Sequence, residues 1–175
     1  MTGEKPAGLS VRLAREDDRE RLAAAYAASV NPDRREADRF ARLHVSFERC
    51  LLVEEGGVVL GGLTWGTRDD PRAGVVEITG LAIHEKVRRQ GLGTLLVLLA
   101  LEDMEAHLAR RGGKLRRVFT LTDERNAVAR KLYEKVGFRA VAQLAEHLRA
   151  GRADFVLALH PGRPTRLTPV LPQPQ

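Results

Sequence analysis

Residues Arg88 to Gly93, RRQGLG, put two arginines and two glycines where a β-branched run, Val75, Val76, Ile78, Thr79 and Ile83, gives way to a leucine-rich segment. The run has the composition of a buried strand, and a polar loop from Glu85 to Gln90 separates it from the helix that the leucines imply. The start of a helix carries backbone N–H groups without helical partners, together with the positive end of the macrodipole. Gly91 and Gly93 lack a Cβ, so the backbone there can approach a ligand closely. With Arg88 and Arg89 beside them, these amides suit an anion, a pyrophosphate above all. Taken alone, Gly-x-Gly also describes an ordinary tight turn.

Few other residues offer chemistry. Glu77 lies inside the strand and His84 at its end, where an imidazole titrating near neutrality reads either as a reserve base or as a loop histidine with no catalytic part. Cys50 is the single cysteine. It can make neither an internal disulfide nor a multi-thiolate metal site, and at the edge of the apolar run Cys50 to Val53 it reads as a buried structural thiol. His44, His107, His147 and His160 lack the spacing of zinc ligands, so no metal is expected.

The elements that must position these residues follow in order. Leu9 to Leu13 alternates as a strand, and a first helix is expected from about Asp17 to Val30, where Asn31-Pro32 interrupts it. A second helix covers Asp33 to about Ser46. Two strands follow around the turn Glu55-Gly56-Gly57, and Gly61 and Gly62 suggest a bulge or a close backbone approach in the second. After the β-branched strand of Val75 to Ile83, a helix runs from Gly91 to about Arg110 and stops at Gly112-Gly113. Arg117 to Thr122 alternates as a strand, with Val118, Thr120 and Thr122 on one face. A helix from Ala127 to Val136 starts at Asn126, a fitting N-cap, and closes at Gly137. Phe138 to about Leu148 and Asp154 to Leu159 form a last hairpin around Ala150-Gly151. The expected organisation is a flexible N-terminus over 1–8, one domain over 9–160 and a disordered proline-rich tail over 161–175.

At 175 residues, 43% hydrophobic and 30% charged, the chain has the size and composition of one soluble globular domain. No apolar run approaches a membrane span, and MTGEKPAG has no apolar core of the kind a secretory signal needs. The single cysteine agrees with a reducing compartment, and the expected location is cytoplasmic. The net charge of +6 raises nucleic acid as a partner. The arginines are interleaved with carboxylates, as in RLAREDDRERL, and aromatics make up only 5% of the chain, which fits a solvated surface better.

RRQGLG matches the (Gln/Arg)-x-x-Gly-x-(Gly/Ala) signature of the GCN5-related N-acetyltransferases, and NAVARKLYEKVGF, Asn126 to Phe138, resembles that family's second conserved segment. The resemblance covers roughly residues 9 to 159 and implies an α/β fold whose central sheet is mixed, mostly antiparallel and flanked by helices. It implies acetyl-CoA as cosubstrate and direct attack of a primary amine on the thioester in a ternary complex. The phosphate loop is then Arg88, Arg89, Gln90, Gly91, Leu92 and Gly93, with Thr94 in the first helical turn. Main-chain groups of Leu81, Ala82 and Ile83 are the implied partners of the pantetheine arm, Gly80 marks the bulge that makes room for it, and Asn126 bonds its amide region.

By the same resemblance Glu77 occupies the place of a catalytic glutamate and is the candidate general base, with His84 or a water as alternatives; the other reading is a salt-bridged strand glutamate. Tyr133 is the implied general acid toward the departing thiolate, against the plainer reading of a half-buried aromatic anchor. The turn near Ser29 to Arg34 is a candidate substrate rim. The acceptor remains open between a small-molecule amine and a protein amine, as does the choice between monomer and homodimer. A non-catalytic CoA-sensing module of the same fold is the competing function, and a basic nucleic-acid-binding protein a more distant one.

Overall fold

A computed structural model describes residues 8–29, 32–46, 48–148 and 150–162. Segment 1–7, the centre of the turn at 29–34 and the tail from residue 163 lie outside the described residues, and with them the expectations placed there. The chain divides into two compact units, Met1–Gly66 with Thr79–Leu101, and Thr67–Ile78 with Glu102–Gln175. Seven strands form one sheet in the order β1-β2-β3-β4-β5-β7-β6.

The first unit holds β1 (Ser10–Leu13), α1 (Arg19–Ser29), α2 (Arg34–Ser46), β2 (Arg49–Glu55) and nearly all of β3 (Val58–Thr67). β1 pairs antiparallel with β2, and β2 with β3. Val53 faces Gly61 whereas Glu54 faces Val59, so Leu60 is the extra residue of a β-bulge. The bulge falls one residue before the glycine pair that suggested it. Gly61 and Gly62 serve close approach instead, since a Cβ there would stand 2.6 Å from the Ala82 carbonyl oxygen and 2.8 Å from that of Leu51. Leu22, Ala23, Ala37, Ala41, Cys50, Leu52 and Val59 form a buried cluster that seats both helices on the strands.

β4 (Val75–Ile83) begins in the second unit and ends in the first. The Leu60 carbonyl accepts from the His84 amide at 2.7 Å, and a Cβ on Gly80 would meet the Thr64 hydroxyl at 2.8 Å. Numbers rise along β4 as they fall along β3, so the two strands run antiparallel. In the second unit β4 pairs parallel with β5 (Arg117–Asp123) from Val75↔Arg117 to Ile78↔Thr120, and β7 (Ala153–Leu159) pairs antiparallel with both β5 and β6 (Arg139–Ala145). α3 (Leu92–Ala109) links the units, and α4 (Ala127–Val136) precedes β6. A mixed, mostly antiparallel sheet with four α-helices is the expected fold, and the order of elements along the chain is the expected one.

An ion network ties the first unit's elements together. Arg12 bonds both carboxylate oxygens of Asp18, at 2.6 and 2.7 Å, and reaches Glu54 at 2.8 Å. Arg21 of α1 joins the same two carboxylates at 2.8 and 2.6 Å. Asp18 is only 2% exposed, and the Arg12 hydrogen bonds hold its carboxyl down to about 2, against the cost of burial. Its folded value lies below the unfolded 3.8, so it stabilises the fold above that value, and the contribution fades as pH falls from about 4 through about 2. The shift corresponds to on the order of 2 kcal/mol. Urea unfolding should find Asp18→Asn less stable than the parent by about that amount at pH 6, and the gap should close toward pH 2. A gap independent of pH would refute the assignment.

Candidate active site

Between β4 and α3 the chain turns within eight residues. The stretch Glu85–Val87 is one 3-10 turn, started by His84, whose Nδ1 accepts from the Lys86 amide at 3.3 Å. Arg89 then takes φ +61° and Gly91 φ +79°. Left-handed backbone is tolerated best by glycine, so Gly91 carries the reversal into the helix. A Cβ on Gly91 would meet nothing within 4 Å. The requirement for glycine is therefore conformational, and the space beside it is open.

The Gly91 carbonyl accepts the first α3 hydrogen bond, from the Leu95 amide at 3.0 Å. The amides of Leu92, Gly93 and Thr94 precede that bond and have no helical acceptor. No side chain among the described residues caps them. Arg88 turns back, its Nε donating to the Ile83 carbonyl at 2.8 Å, while Arg89 and Gln90 are exposed. Three bare amides, a helix dipole and neighbouring guanidinium groups make an anion cradle, and these residues fit a diphosphate.

Along β4, successive residues present their main-chain groups to opposite edges of the strand. Ala82 and His84 face β3, as the Ala82 contact at Gly61 and the His84 bond to Leu60 establish. The main-chain groups of Leu81 and Ile83 therefore lie on the other edge. Of the three strand residues expected to meet an extended ligand, Leu81 and Ile83 turn their main-chain groups away from β3 and Ala82 turns its own toward it.

Glu77 and Tyr133 belong to the second unit. The Glu77 carboxylate is held by Arg68 Nε in a short charge-assisted hydrogen bond. That is the environment of a salt-bridged strand glutamate. Tyr133 is 4% exposed on α4, and burial pushes its phenol up to about 12. It is hydrogen-bonded to Thr120. Because the Thr120 hydrogen already goes to the Ile78 carbonyl at 2.9 Å, the phenol is the donor of that pair.

The second motif builds the helix that carries Tyr133. The Asn126 side-chain oxygen accepts from the Ala129 amide at 3.0 Å, the N-cap expected of it. At the other end Gly137 takes φ +108°, its amide donates to Glu134, and that of Phe138 donates to Tyr133 at 3.0 Å. This is a Schellman closure, completed by the Tyr133 and Phe138 rings at 5.2 Å. Gly137 and Phe138 are thus structural and set where Tyr133 stands.

In the first unit a cavity of about 220 Å³ is lined by Leu22, Tyr26, Phe40, Leu60 and Gly80 among others, with His84 at its edge. Cys50 also borders it, and burial, reinforced by the charges of Asp18 and Glu48, pushes its thiol up to about 12. A thiol so protonated is no nucleophile at neutral pH. Sequence reasoning passed over a polar cluster that reaches this cavity at Thr64 and continues through Thr79 to Glu48 and His44. The i, i+4 spacing of His44 and Glu48 was its one local signal; the threonines sit on separate strands.

The conserved pattern of the acetyltransferase (GNAT) family matches residues 13–138, which include parts of both units. The chain belongs to the GNAT acetyltransferase family. Among solved structures it is similar to an acetyltransferase of that family from Streptococcus pneumoniae, at 20% identity over 87% of this chain and 98% of that one, with a TM-score of 0.68. The ribosomal-protein-S18-alanine N-acetyltransferase of Escherichia coli is similar at 16% identity, over 87% and 93%, with a TM-score of 0.69. So is yncA of Salmonella typhimurium, solved with its cofactor acetyl-CoA, at 20% identity, over 90% and 98%, with a TM-score of 0.63. At these identities the likeness shows the fold. No functionally curated protein matches the chain.

The Cys50 thiol should react with an aromatic disulfide reagent at pH 8 at least 100-fold more slowly than a free thiol, and at the full rate once urea unfolds the chain. Fast labelling of the folded protein would contradict its burial.

Proposed function

We propose that this chain is an acetyl-CoA-dependent N-acetyltransferase acting on a primary amine. The observation that carries the reading is the start of α3, where the amides of Leu92, Gly93 and Thr94 have no helical acceptor and Gly91 has open space beside it. Bound there by its diphosphate, acetyl-CoA supplies an activated thioester carbonyl. Arg88, Arg89 and Gln90 border that cradle. Leu81 and Ile83 offer main-chain groups to the pantetheine arm, in the manner of strand addition, with the Ile83 carbonyl shared with Arg88. Asn126 uses only its side-chain oxygen for the cap, which leaves its amide nitrogen to donate to the same arm.

Tyr133 is the group we assign to the departing sulfur. A phenol held at about 12 stays neutral across the physiological range. It is a weaker acid than a thiol, whose ordinary value is about 8.5. It therefore steadies the leaving sulfur chiefly as a hydrogen-bond donor, by turning its one hydrogen from Thr120 to the sulfur. Glu77, engaged by Arg68, fits the role of proton acceptor less well than its position in the strand suggested. A CoA-sensing module without turnover is the competing reading. The neutral hydroxyl of Tyr133 favours the enzyme, since a sensor has no leaving group to stabilise.

Gly91→Glu, which puts a carboxylate where the phosphate belongs, should reduce acetyl-CoA affinity at least 100-fold by calorimetry. Unchanged binding would overturn the cradle. Tyr133→Phe should lower kcat tenfold or more while leaving cofactor affinity within about twofold, as expected of a group that acts in the transition state. A thiol-release assay over a panel of amines reads that split, and binding without any turnover would favour the sensor.

A further inference from the structure

The cavity of the first unit has an unusual electrostatic composition for this chain. The sequence carries 29 lysines and arginines, yet none of them is among the residues that line the cavity. Its walls are apolar, and Tyr26 stacks on Phe40 at 4.2 Å. Besides the His84 imidazole, one polar path leaves it. Thr64 follows Gly62 on the same face of β3, and both border the cavity. Behind Thr64 stand Thr79 and then Glu48, which is paired with His44.

The hydrogen bonds of this path have a fixed direction. Thr79 donates its one hydroxyl hydrogen to Glu48 Oε2 at 2.7 Å. The Thr79 and Thr64 oxygens are 3.0 Å apart, so it is the Thr64 hydrogen that closes that contact. Both hydroxyls thus point toward the carboxylate, and the Thr64 oxygen keeps a lone pair for an incoming donor. His44 Nδ1, 2.5 Å from Glu48 Oε2, anchors the far end.

We infer that this cavity takes the acceptor, that the acceptor is a primary amine on an apolar body without an anionic group, and that Glu48 receives its proton through Thr79 and Thr64. The inference rests on the acetyltransferase reading above. A cation is drawn to the end backed by Glu48, whereas a carboxylate or phosphate on the acceptor would meet no lysine or arginine in the lining, only the His84 imidazole and the Tyr26 hydroxyl, and would lose most of its hydration. A volume of about 220 Å³ is below the ~300 Å³ at which ligand pockets usually begin. It suits a small amine or one side chain. In the proton step the ammonium N–H bond breaks as an O–H bond forms at Thr64. The former Thr64 hydrogen passes to Thr79, and that of Thr79 passes to Glu48. The amine is left neutral with its lone pair free, and the proton on Glu48 is later released to water. Glu48 touches no substrate and acts through the two hydroxyls.

The test compares phenethylamine with phenylalanine, which adds a carboxylate to the same body, in thiol release by the full chain. The expected preference for phenethylamine is tenfold or more in kcat/KM. Glu48→Gln and Thr79→Val should each lower kcat by about 100-fold, within the range for general base catalysis. KM and calorimetric acetyl-CoA affinity should stay within about threefold, and Thr79→Ser should restore most of the rate. A merely structural role for Thr79 would not be rescued by the hydroxyl alone. Equal or better use of phenylalanine, or a Glu48→Gln variant as active as the parent, overturns this inference and leaves the acetyltransferase reading standing. Loss of turnover in Glu77→Gln but not in Glu48→Gln also overturns it. No thiol release by the parent with any amine overturns both.

Discussion

The structure depends on one reversal, the passage from the end of β4 into α3. Within Glu85–Gly91 the backbone makes a 3-10 turn and twice enters the left-handed region, at Arg89 and Gly91. An arginine in that conformation is strained, and the glycine relieves the second passage. The reversal leaves the first amides of α3 without acceptors and brings Arg88 back onto the strand it has just left.

Around that reversal the first unit sorts its charges. Arg12 and Arg21 are bound to Asp18 and Glu54 in a compact network that fastens β1 and α1 to β2. The exposed cations Arg88 and Arg89 stand at the cradle. The cavity lined by α1, α2 and β3 has no lysine or arginine in its lining, and its Thr64 hydroxyl is backed by Thr79 and a carboxylate. A chain of net charge +6 thus keeps lysine and arginine out of the wall of this cavity.

Tight turns and helix ends were the most legible features. α4 runs from Ala127 to Val136 as the sequence alone indicated, because its two stops are local: an asparagine side chain that satisfies an early amide, and a glycine that accepts positive φ. The bulge was less legible. Gly61 and Gly62 pointed to an irregularity, yet the extra residue is Leu60, since register is set by the partner strand and not by the glycine that tolerates its approach. The pairing of Glu77 with Arg68 joins the strand to the first residue of the loop that precedes it, and no periodicity announces it.

The sequence by itself determined the order of elements, the turn that exposes the α3 amides and the caps that set Tyr133 on its helix, because each is decided within a few residues by backbone sterics and local hydrogen bonds. Only the tertiary structure decided which carboxylate stands behind the Thr64 hydroxyl of the cavity. Glu48, Thr64 and Thr79 lie on three separate segments, and their hydroxyl path exists only once β3 and β4 lie side by side and Glu48 meets Thr79. Directional hydrogen bonds of 2.7 and 3.0 Å are a property of that packing, which no spacing in the chain encodes.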